Sequence, residues 1–576
     1  MIPKAHWLLP NDDSGCVERL AADLGIFPLT ARVLVSRGMV ESQDARRFLT
    51  PSLEDLHDPY ALTGMHDAVK RLRRAVAARE PVLIYGDYDV DGTTSVVILK
   101  KAIELAGGMA TFHVPHRLKE GYGMRADVIE RAAASGVKLI VSVDTGIRAM
   151  DVVRAAAGLG IDVIVTDHHL PDAELPPALA VLNPNRRDCG YPEKNLCGAG
   201  VTFKLVQALL GTLDWPEARL RNMLLSFLKL VAIATVADVV PLLGENRVIV
   251  KHGLQGLNKV KNPGLRALLE VSGLLNGGAP TAREVAFQIA PRINAAGRMA
   301  HADDVIRLFL TQDVEEAKNV ANQLHELNKD RRETEAEIVR AILEECLKTP
   351  VTPDQAALVF SREGWHRGVV GIVASRLVER FCRPVFVLSE EDGEAQGSGR
   401  SIPAFHLLEA LESMPGMFSR FGGHKQAAGL GMGRDRVAEF RERLNAYAAA
   451  RLTPDDFRPR LAIDAVACLG ELNDESVAQL LSLAPFGFGN PAPILATMRA
   501  QFAAPATILK EKHLRVRLRQ GDRHLPATAW NFAERLGECE CGPMVDAAFC
   551  LEEDNYSLSR GWSPWRAVLK DVRPAS

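Results

Sequence analysis

A chain of 576 residues, 47% hydrophobic and 24% charged, has the mix of a multidomain globular protein and excludes wholesale disorder, collagen and coiled-coil rods. Lys+Arg 69 against Asp+Glu 72 leaves a net charge of -3, so no overall basic field gathers nucleic acid and a polyanion would have to meet a local patch. Nine scattered cysteines, an odd number, argue for a reducing compartment over a disulfide framework, and Cys539 and Cys541, without a second pair, do not make a zinc site.

Residues 1–60 read as an N-terminal segment whose first ten residues lack the apolar core of a signal peptide. From 61 to 240, strand-length apolar runs at Pro81–Gly86, Val137–Val143 and Ile161–Thr166 alternate with helical stretches such as Thr93–Leu105 and Ala126–Ser135. Near-continuous apolar strands between helices predict a parallel sheet covered on both faces, which collects ligands beyond the carboxyl ends of its strands. The run Met223–Leu243 has the length of a membrane span but contains Lys229 and Asp238. Each would cost about 2.5–3.5 kcal/mol at a bilayer centre, so the expectation is a buried helix carrying a functional carboxylate, in a cytoplasmic protein with no membrane partner.

Residues 241–350 read as helical, ending in one long helix over 311–349. Its apolar stripe (Val314, Ala317, Val320, Ala321, Leu324, Leu327) is interrupted by HELNKDRRETEAE and resumes at Ile338 and Ile342. A polar middle predicts a bridge between two lobes, roughly 50–60 Å long, the alternative being two shorter helices with a turn near Asn328. A second, smaller α/β segment covers 351–452, with strands at Ala356–Phe360 and Pro384–Leu388. Over 453–576 prolines cluster and strands shorten. HLRVRLR (513–519) sets His513, Arg515, Arg517 and Arg519 on one face, which suits a small β-barrel holding a phosphate backbone and equally suits a solvated outer face.

The chemistry sits where the first strands end. YGDYDVDG places Asp87, Asp89 and Asp91 at alternate positions before Gly92, and three carboxylates so close repel one another unless cations neutralise them. An EF-hand is excluded, because the twelfth loop position is Ile98, not Glu, and the string follows a strand. The second strand runs into Asp144-Thr145-Gly146, the third into Asp167-His168-His169, and Asp238 follows in ATVADVVPL. Asp87, Asp89, Asp91, Asp144 and Asp238 together carry −5, which two divalent cations, at +4, nearly neutralise. Mixed carboxylate and imidazole donors suit Mn²⁺ or Mg²⁺, and such a pair activates water at a phosphoryl centre. No Gly-Lys dipeptide is present, so a Walker A phosphate loop is excluded. In the second segment, GSGRS (397–401) and FGGHKQAAG (421–429) read as a phosphate clamp, with Gly397, Gly399, Gly422 and Gly423 opening the backbone and Arg400 and His424 as cationic donors. His366, Arg367 and Arg376 add candidate phosphate contacts; Arg292 and Arg298 are weaker ones, equally well read as salt-bridge partners.

The strings GDYDVDG, DTG and DHH with Asp238 resemble the motifs of the DHH phosphoesterase superfamily, and GSGRS and FGGHKQAAG are similar to its DHH-associated domain. RLKEGYG (117–123), LCGAGVTFKL (196–205), APRINAAGRM (290–299), GWHRGVVGIVASRL (364–377) and FGFGNP (486–491) narrow the likeness to the superfamily's single-strand-specific 5′→3′ DNA exonucleases. The resemblance implies an α/β multidomain fold: a parallel-sheet DHH domain, a long connecting helix, a smaller DHH-associated domain and a C-terminal OB-fold barrel. It assigns Asp91, His168 and Asp238 to one metal, Asp89 with Asp87 to the other, and Asp144 to both. His169 would contact the scissile phosphate, and Asp167 would fix a histidine. Tyr85 stands where many members carry a histidine ligand, a role that Asp87 takes over here. Arg117 of RLKEGYG and Ser398 of GSGRS join the implied substrate contacts. The implied partners are single-stranded DNA with a 5′ end, single-stranded-DNA-binding protein and repair helicases, and the implied state is a monomer. Two alternatives remain open: a small-substrate DHH phosphodiesterase, and a catalytically inactive strand-binding scaffold.

Overall fold

The structure, a computed structural model, describes residues 5–575 except 12, 118, 122, 276 and 555–562. The first lobe is built on five parallel strands in the order Met109–His113, Pro81–Tyr85, Leu139–Val143, Asp162–Thr166, Ala180–Leu182. The three central strands are the predicted ones. They are rich in Val, Ile and Leu and buried along nearly their whole length, as a sheet covered on both faces requires. Of the two edge strands, Ala180–Leu182 is only three residues long and Met109–His113 mixes exposed and buried positions, so neither stands out in sequence. The helix Glu217–Ala237 is, among the described residues, long and apolar enough to cross a membrane by length and composition alone. Its Phe227, Leu228 and Val231–Val236 pack into the first-lobe core, and it ends at Asp238.

The bridge is a single helix of 35 residues, Val314–Lys348, about 52 Å long at 1.5 Å per residue. Asn328 does not break it. Arg331 Nη2 donates to Asn328 Oδ1 (2.9 Å) and Nη1 to Glu335 Oε2 (2.8 Å), so the polar middle is a buried hydrogen-bonded network. Ala317, Val320, Ala321 and Leu324 belong to the first-lobe core, whereas Ile338 and Ile342 pack with Val370, Val373, Leu377 and Val385 of the second lobe. One rigid element therefore carries one side of each lobe.

The second lobe is a mixed five-stranded sheet in the order Arg420–Gly423, Ala427–Gly433, Glu394–Arg400, Val385–Glu391, Leu358–Glu363. GSGR and the glycine pair before His424 are thus strand residues, not loops. Gly397 and Gly399 serve sheet packing: an added Cβ would lie 2.0 Å from the Val387 carbonyl oxygen and 2.5 Å from the Phe386 ring. At Gly422 the space is open.

In the C-terminal domain the strands Ile494–Phe502, Val545–Glu553, Trp565–Pro574, Arg523–Ala529 and His513–Gln520 pair in turn. The last returns to the first through Gln501–Arg519 and Phe502–Leu518, so the five pairings form a closed circuit. Leu514, Val516 and Leu518 point into its core while Arg515, Arg517 and Arg519 are exposed. The N-terminal helices Ser14–Leu24, Pro28–Ser36 and Ser42–Leu49 share that core through Leu20, Leu34 and Phe48, and the strand His6–Leu8 pairs with Arg460–Ala462. The two ends of the chain fold together.

Candidate metal centre and phosphate contacts

Adjacent parallel strands end side by side, so the acids that follow them converge. Asp89 caps the helix Val90–Leu105, accepting from the N–H groups of Asp91 (2.9 Å) and Gly92 (3.0 Å). Gly92 lets this turn close on itself, since a Cβ there would lie 2.5 Å from the Asp87 carbonyl oxygen. Asp91 is buried, and its carboxylate accepts from the N–H groups of Gly198 (2.6 Å) and Ala199 (2.7 Å), the first residues of the helix Gly198–Leu210. Asp144 has left-handed backbone (φ 59°), and its N–H donates to the Thr166 carbonyl (2.9 Å) on the neighbouring strand.

His168 is the meeting point. Its Nε2 lies 3.3 Å from Asp144 Oδ1 and 3.8 Å from Asp91 Oδ2, and its Nδ1 lies 3.7 Å from Asp238 Oδ2. Asp167 does not join these contacts. It accepts from the backbone N–H of Ile147 (3.0 Å), His168 (2.8 Å) and His169 (3.1 Å), and lies 2.7 Å from His169 Nδ1. Three sets of donor atoms lie within 4.8 Å of one another: Asp91, His168 and Asp238; Asp87, Asp89 and Asp144; Asp144, His168 and His169. Asp144 belongs to two of them. The Tyr85 ring packs with Val128, Ile129 and Val163, and its hydroxyl donates to the Gly123 carbonyl (3.2 Å), so it belongs to none of these sets.

The residues fit divalent cations. Asp87 Oδ1, Asp144 Oδ1 and Asp238 Oδ2 are buried without a hydrogen-bond partner, an expensive state for carboxylates unless a cation takes the lone pairs. Burial and then Asp89 push the Asp87 carboxyl well above its usual range; burial and then Asp91, Asp89 and Asp87 do the same to Asp144. Burial, followed by the charges of Asp91 and Asp89, pushes Asp238 up to about 9. Burial also raises Asp91 against the pull of His168, and lowers His168 itself, keeping the imidazole neutral as a metal ligand must be. At His169 burial opposes the charged form, but the hydrogen bond and charge of Asp167 outweigh it and raise the imidazole.

Arg117 of the first lobe, the helical region and the second lobe bring cations to this centre. The Arg117 guanidinium stacks on Tyr88 (4.8 Å to the ring centroid), between the acids Asp87 and Asp89. Ser398 and Arg400 flank Gly371 at the start of the helix Val370–Phe381, where an added Cβ would lie 3.4 Å from Ser398 Cβ and 3.2 Å from Arg400 Nη2. Burial lowers Arg298 to about 9, with Arg117 and Arg400 adding repulsion and Asp89 opposing it, and burial and then Arg117 lower Arg400. These three guanidinium charges therefore act on one another, and Arg298 also feels the charge of Asp89. Burial lowers His424, and next come the charges of Arg148 and His169, which places the GGH histidine against the metal lobe.

Other expected contacts are engaged elsewhere. Arg292 donates to the carbonyls of Gln288 and Val271 (3.2 Å) and to His325 Nδ1 (3.2 Å). Arg376 pairs with Glu335 of the bridge (3.1 Å), and Arg367 with Glu391 (2.8 Å). His366 Nδ1 accepts from the Gly368 N–H (3.1 Å). Arg519 Nη2 donates to Gln501 Oε1 (2.8 Å) beside the exposed Arg517 and Arg515. Sequence reasoning missed Gly198, whose signal was the LCGAG string.

Carboxylates and imidazoles gathered at parallel-strand ends, with guanidiniums opposite, define the DHH class of protein: residues 81–235 match the DHH family N-terminal domain and 354–450 the DHHA1 domain. Residues 463–561 match the RecJ OB domain. The chain is 39% identical to the single-stranded-DNA-specific exonuclease RecJ of Dickeya dadantii, covering 92% of this chain and 94% of that protein. It is 38% identical to the Escherichia coli protein of the same name, over 90% of this chain and 88% of the other. The Bacillus subtilis RecJ is 39% identical over 92% of this chain, which spans 66% of that longer relative. In three dimensions it is similar to RecJ in complex with Mn²⁺ from Thermus thermophilus, with a TM-score of 0.83 and 32% identity over 100% of this chain and 80% of the other. The chain belongs to the RecJ family.

Proposed function

We propose that this chain is a single-stranded-DNA-specific exonuclease that hydrolyses DNA from the 5′ end to mononucleotides, in DNA repair and recombination. The observation that carries the reading is the pair of donor sets, Asp91–His168–Asp238 and Asp87–Asp89–Asp144, with three buried carboxylate oxygens that lack a hydrogen-bond partner. Asp91, His168 and Asp238 would hold one cation, Asp87 and Asp89 the other, and Asp144 both. Two divalent cations at such a site activate water and stabilise the leaving oxygen of a phosphodiester. RecJ structures with Mn²⁺ and with Mg²⁺ are similar to this fold and support that pair of metals.

The chain's own residues then position the strand. Asp167 holds His169 through Nδ1 and favours its charged form, which suits Nε2 as a donor to the scissile phosphate. Arg117, Arg298, Arg400, Ser398 and His424, with the open space at Gly422 and the Gly423 backbone packed close against Ala427 beside it, form a pocket for the terminal 5′-phosphate, fixing the next phosphodiester at the carboxylates. The exposed Arg515, Arg517 and Arg519 guide the strand beyond it. His366, Arg367, Arg376 and Arg292 support this pocket's walls through the partners described above. The division follows as catalytic domain 61–240, helical region 241–350, DHH-associated domain 351–452 and strand-binding domain 453–576, the last built together with segment 1–60. The enzyme works as a cytoplasmic monomer beside single-stranded-DNA-binding protein and repair helicases. Digestion of a long homopolymeric strand to mononucleotides in Mn²⁺ tests the reading. Cleavage confined to dinucleotides would favour a small-substrate phosphodiesterase, and binding without cleavage a scaffold.

A further inference from the structure

Gly198 touches two of the carboxylates at once. Its N–H donates to Asp91 Oδ2 at 2.6 Å, and the space where its side chain would stand is occupied by Asp144. A Cβ there would lie 2.5 Å from Asp144 Oδ1, 2.7 Å from Asp144 Cβ and 2.8 Å from Asp144 Cγ. The overlap includes Cβ, so a rotation of the carboxylate alone does not relieve it. Nor can the backbone of Asp144 easily retreat: it holds a left-handed φ of 59°, and its N–H is tied to the Thr166 carbonyl at 2.9 Å. Gly200, two residues on, differs. A Cβ there would meet only the side chain of Leu196, 3.3 Å away.

We propose that Gly198 is a positioning residue for the cation-bridging carboxylate: the helix Gly198–Leu210 holds Asp91 with its first N–H groups, and the bare Cα of Gly198 sets how far Asp144 can stand from Asp91. The inference rests on the two-cation reading. Replacing Gly198 acts on both donor sets through one residue, because Asp144 lies in one set and Asp91 in the other.

The test uses the full chain stripped of metal by chelation and titrated with Mn²⁺ in a calorimeter, with circular dichroism as a check on folding. Gly198→Ala should weaken Mn²⁺ binding about 10- to 100-fold, the scale of losing a group that orients a ligand. Gly200→Ala should bind as wild type does. In an Asp144→Gly background, which removes Cβ as well as the carboxylate, adding Gly198→Ala should change Mn²⁺ affinity by less than about twofold, because the overlapping side chain is gone. Wild-type affinity in Gly198→Ala overturns the proposal, as does an undiminished loss in the Asp144→Gly background. Should Gly198→Ala fail to fold, the double variant decides: removing the Asp144 side chain must restore the fold, and a double variant that stays unfolded overturns the proposal. A wild-type chain that takes up no Mn²⁺ refutes the two-cation reading itself, a result distinct from all of these.

Discussion

Arg298 Nη1 donates to the carbonyl of Gly368 at 3.0 Å, a hydrogen bond that crosses from the helical region to the second lobe. Gly368 in turn has no room for a side chain, since a Cβ would lie 2.5 Å from the Arg298 carbonyl oxygen. The residue before Arg298 closes the other side: a Cβ on Gly297 would lie 2.7 Å from the carbonyl oxygen of Tyr88, between Asp87 and Asp89. Two consecutive residues thus fix the Asp87–Asp91 turn and the second lobe to the same helix, Ala290–Met299. The spacing between carboxylates and guanidiniums is set here as well as by the bridge.

The shared position of Asp144 makes it the most sensitive ligand. Asp144→Ala should lower kcat by several orders of magnitude while the fold survives. The apoprotein's Tm should hold or rise slightly, because the substitution removes a buried carboxylate from among Asp91, Asp89, Asp87 and Asp238. Retention of more than about a tenth of the Mn²⁺-dependent activity would remove the case for a two-cation centre.

The raised carboxyls also predict how metal stabilisation varies with pH. A carboxyl whose folded-state pKa lies above its unfolded value contributes stability that is present below about pH 4 and is lost as pH rises through the folded value, which reaches about 9 for Asp238. Asp87, Asp91 and Asp144 shift in the same direction. The apoprotein therefore loses their contribution as pH rises across the neutral range, and cations that bind only the ionised forms restore it. The Tm increase given by saturating Mn²⁺ should be larger at pH 8 than at pH 6. A constant or falling increment, measured by calorimetry, would contradict the assignment of these groups as ligands.

The centre was legible because each acid follows its strand directly, and a parallel sheet brings consecutive strand ends together whatever the rest of the chain does. Asp238 was legible as a lone carboxylate after an apolar helix. What escaped notice depends on distant partners. Nothing near Arg292 announces His325, 33 positions on, and nothing in residues 14–49 announces that Leu20 and Leu34 pack beneath strands near the other end of the chain. The glycines of GSGRS misled in a different way. Gly397 and Gly399 are small because a neighbouring carbonyl and the Phe386 ring press on them, a cause that sequence does not distinguish from close approach to a ligand.

The exposed basic row of the C-terminal domain makes a quantitative prediction about salt. Arg515, Arg517 and Arg519 alternate with the buried Leu514, Val516 and Leu518, so replacing all three arginines by glutamine should leave the domain folded. If each contacts one phosphate, the slope of log affinity against log salt should flatten by roughly 2–3 units. Binding of a long single strand across a salt series, by fluorescence anisotropy, reads this directly. An unchanged slope would mean that this face points away from the strand.

Polarity should reside in Arg400. It lies at the start of the helix Val370–Phe381, beside Ser398, and is crowded by Arg117 and Arg298. These three half-buried guanidiniums repel one another until a dianionic terminal phosphate enters, which a 5′-hydroxyl end cannot supply. Arg400→Ala should therefore weaken kcat/KM on 5′-phosphorylated oligonucleotides by about 2–3 kcal/mol, the scale of a lost charge-assisted hydrogen bond. On 5′-hydroxyl oligonucleotides the loss should be much smaller. Because the variant also relieves repulsion on Arg298 and Arg117, its Tm should not fall in proportion to its activity. Equal losses on both substrates would show that Arg400 does not read the end, and polarity would then have to come from the path of the strand between the two lobes.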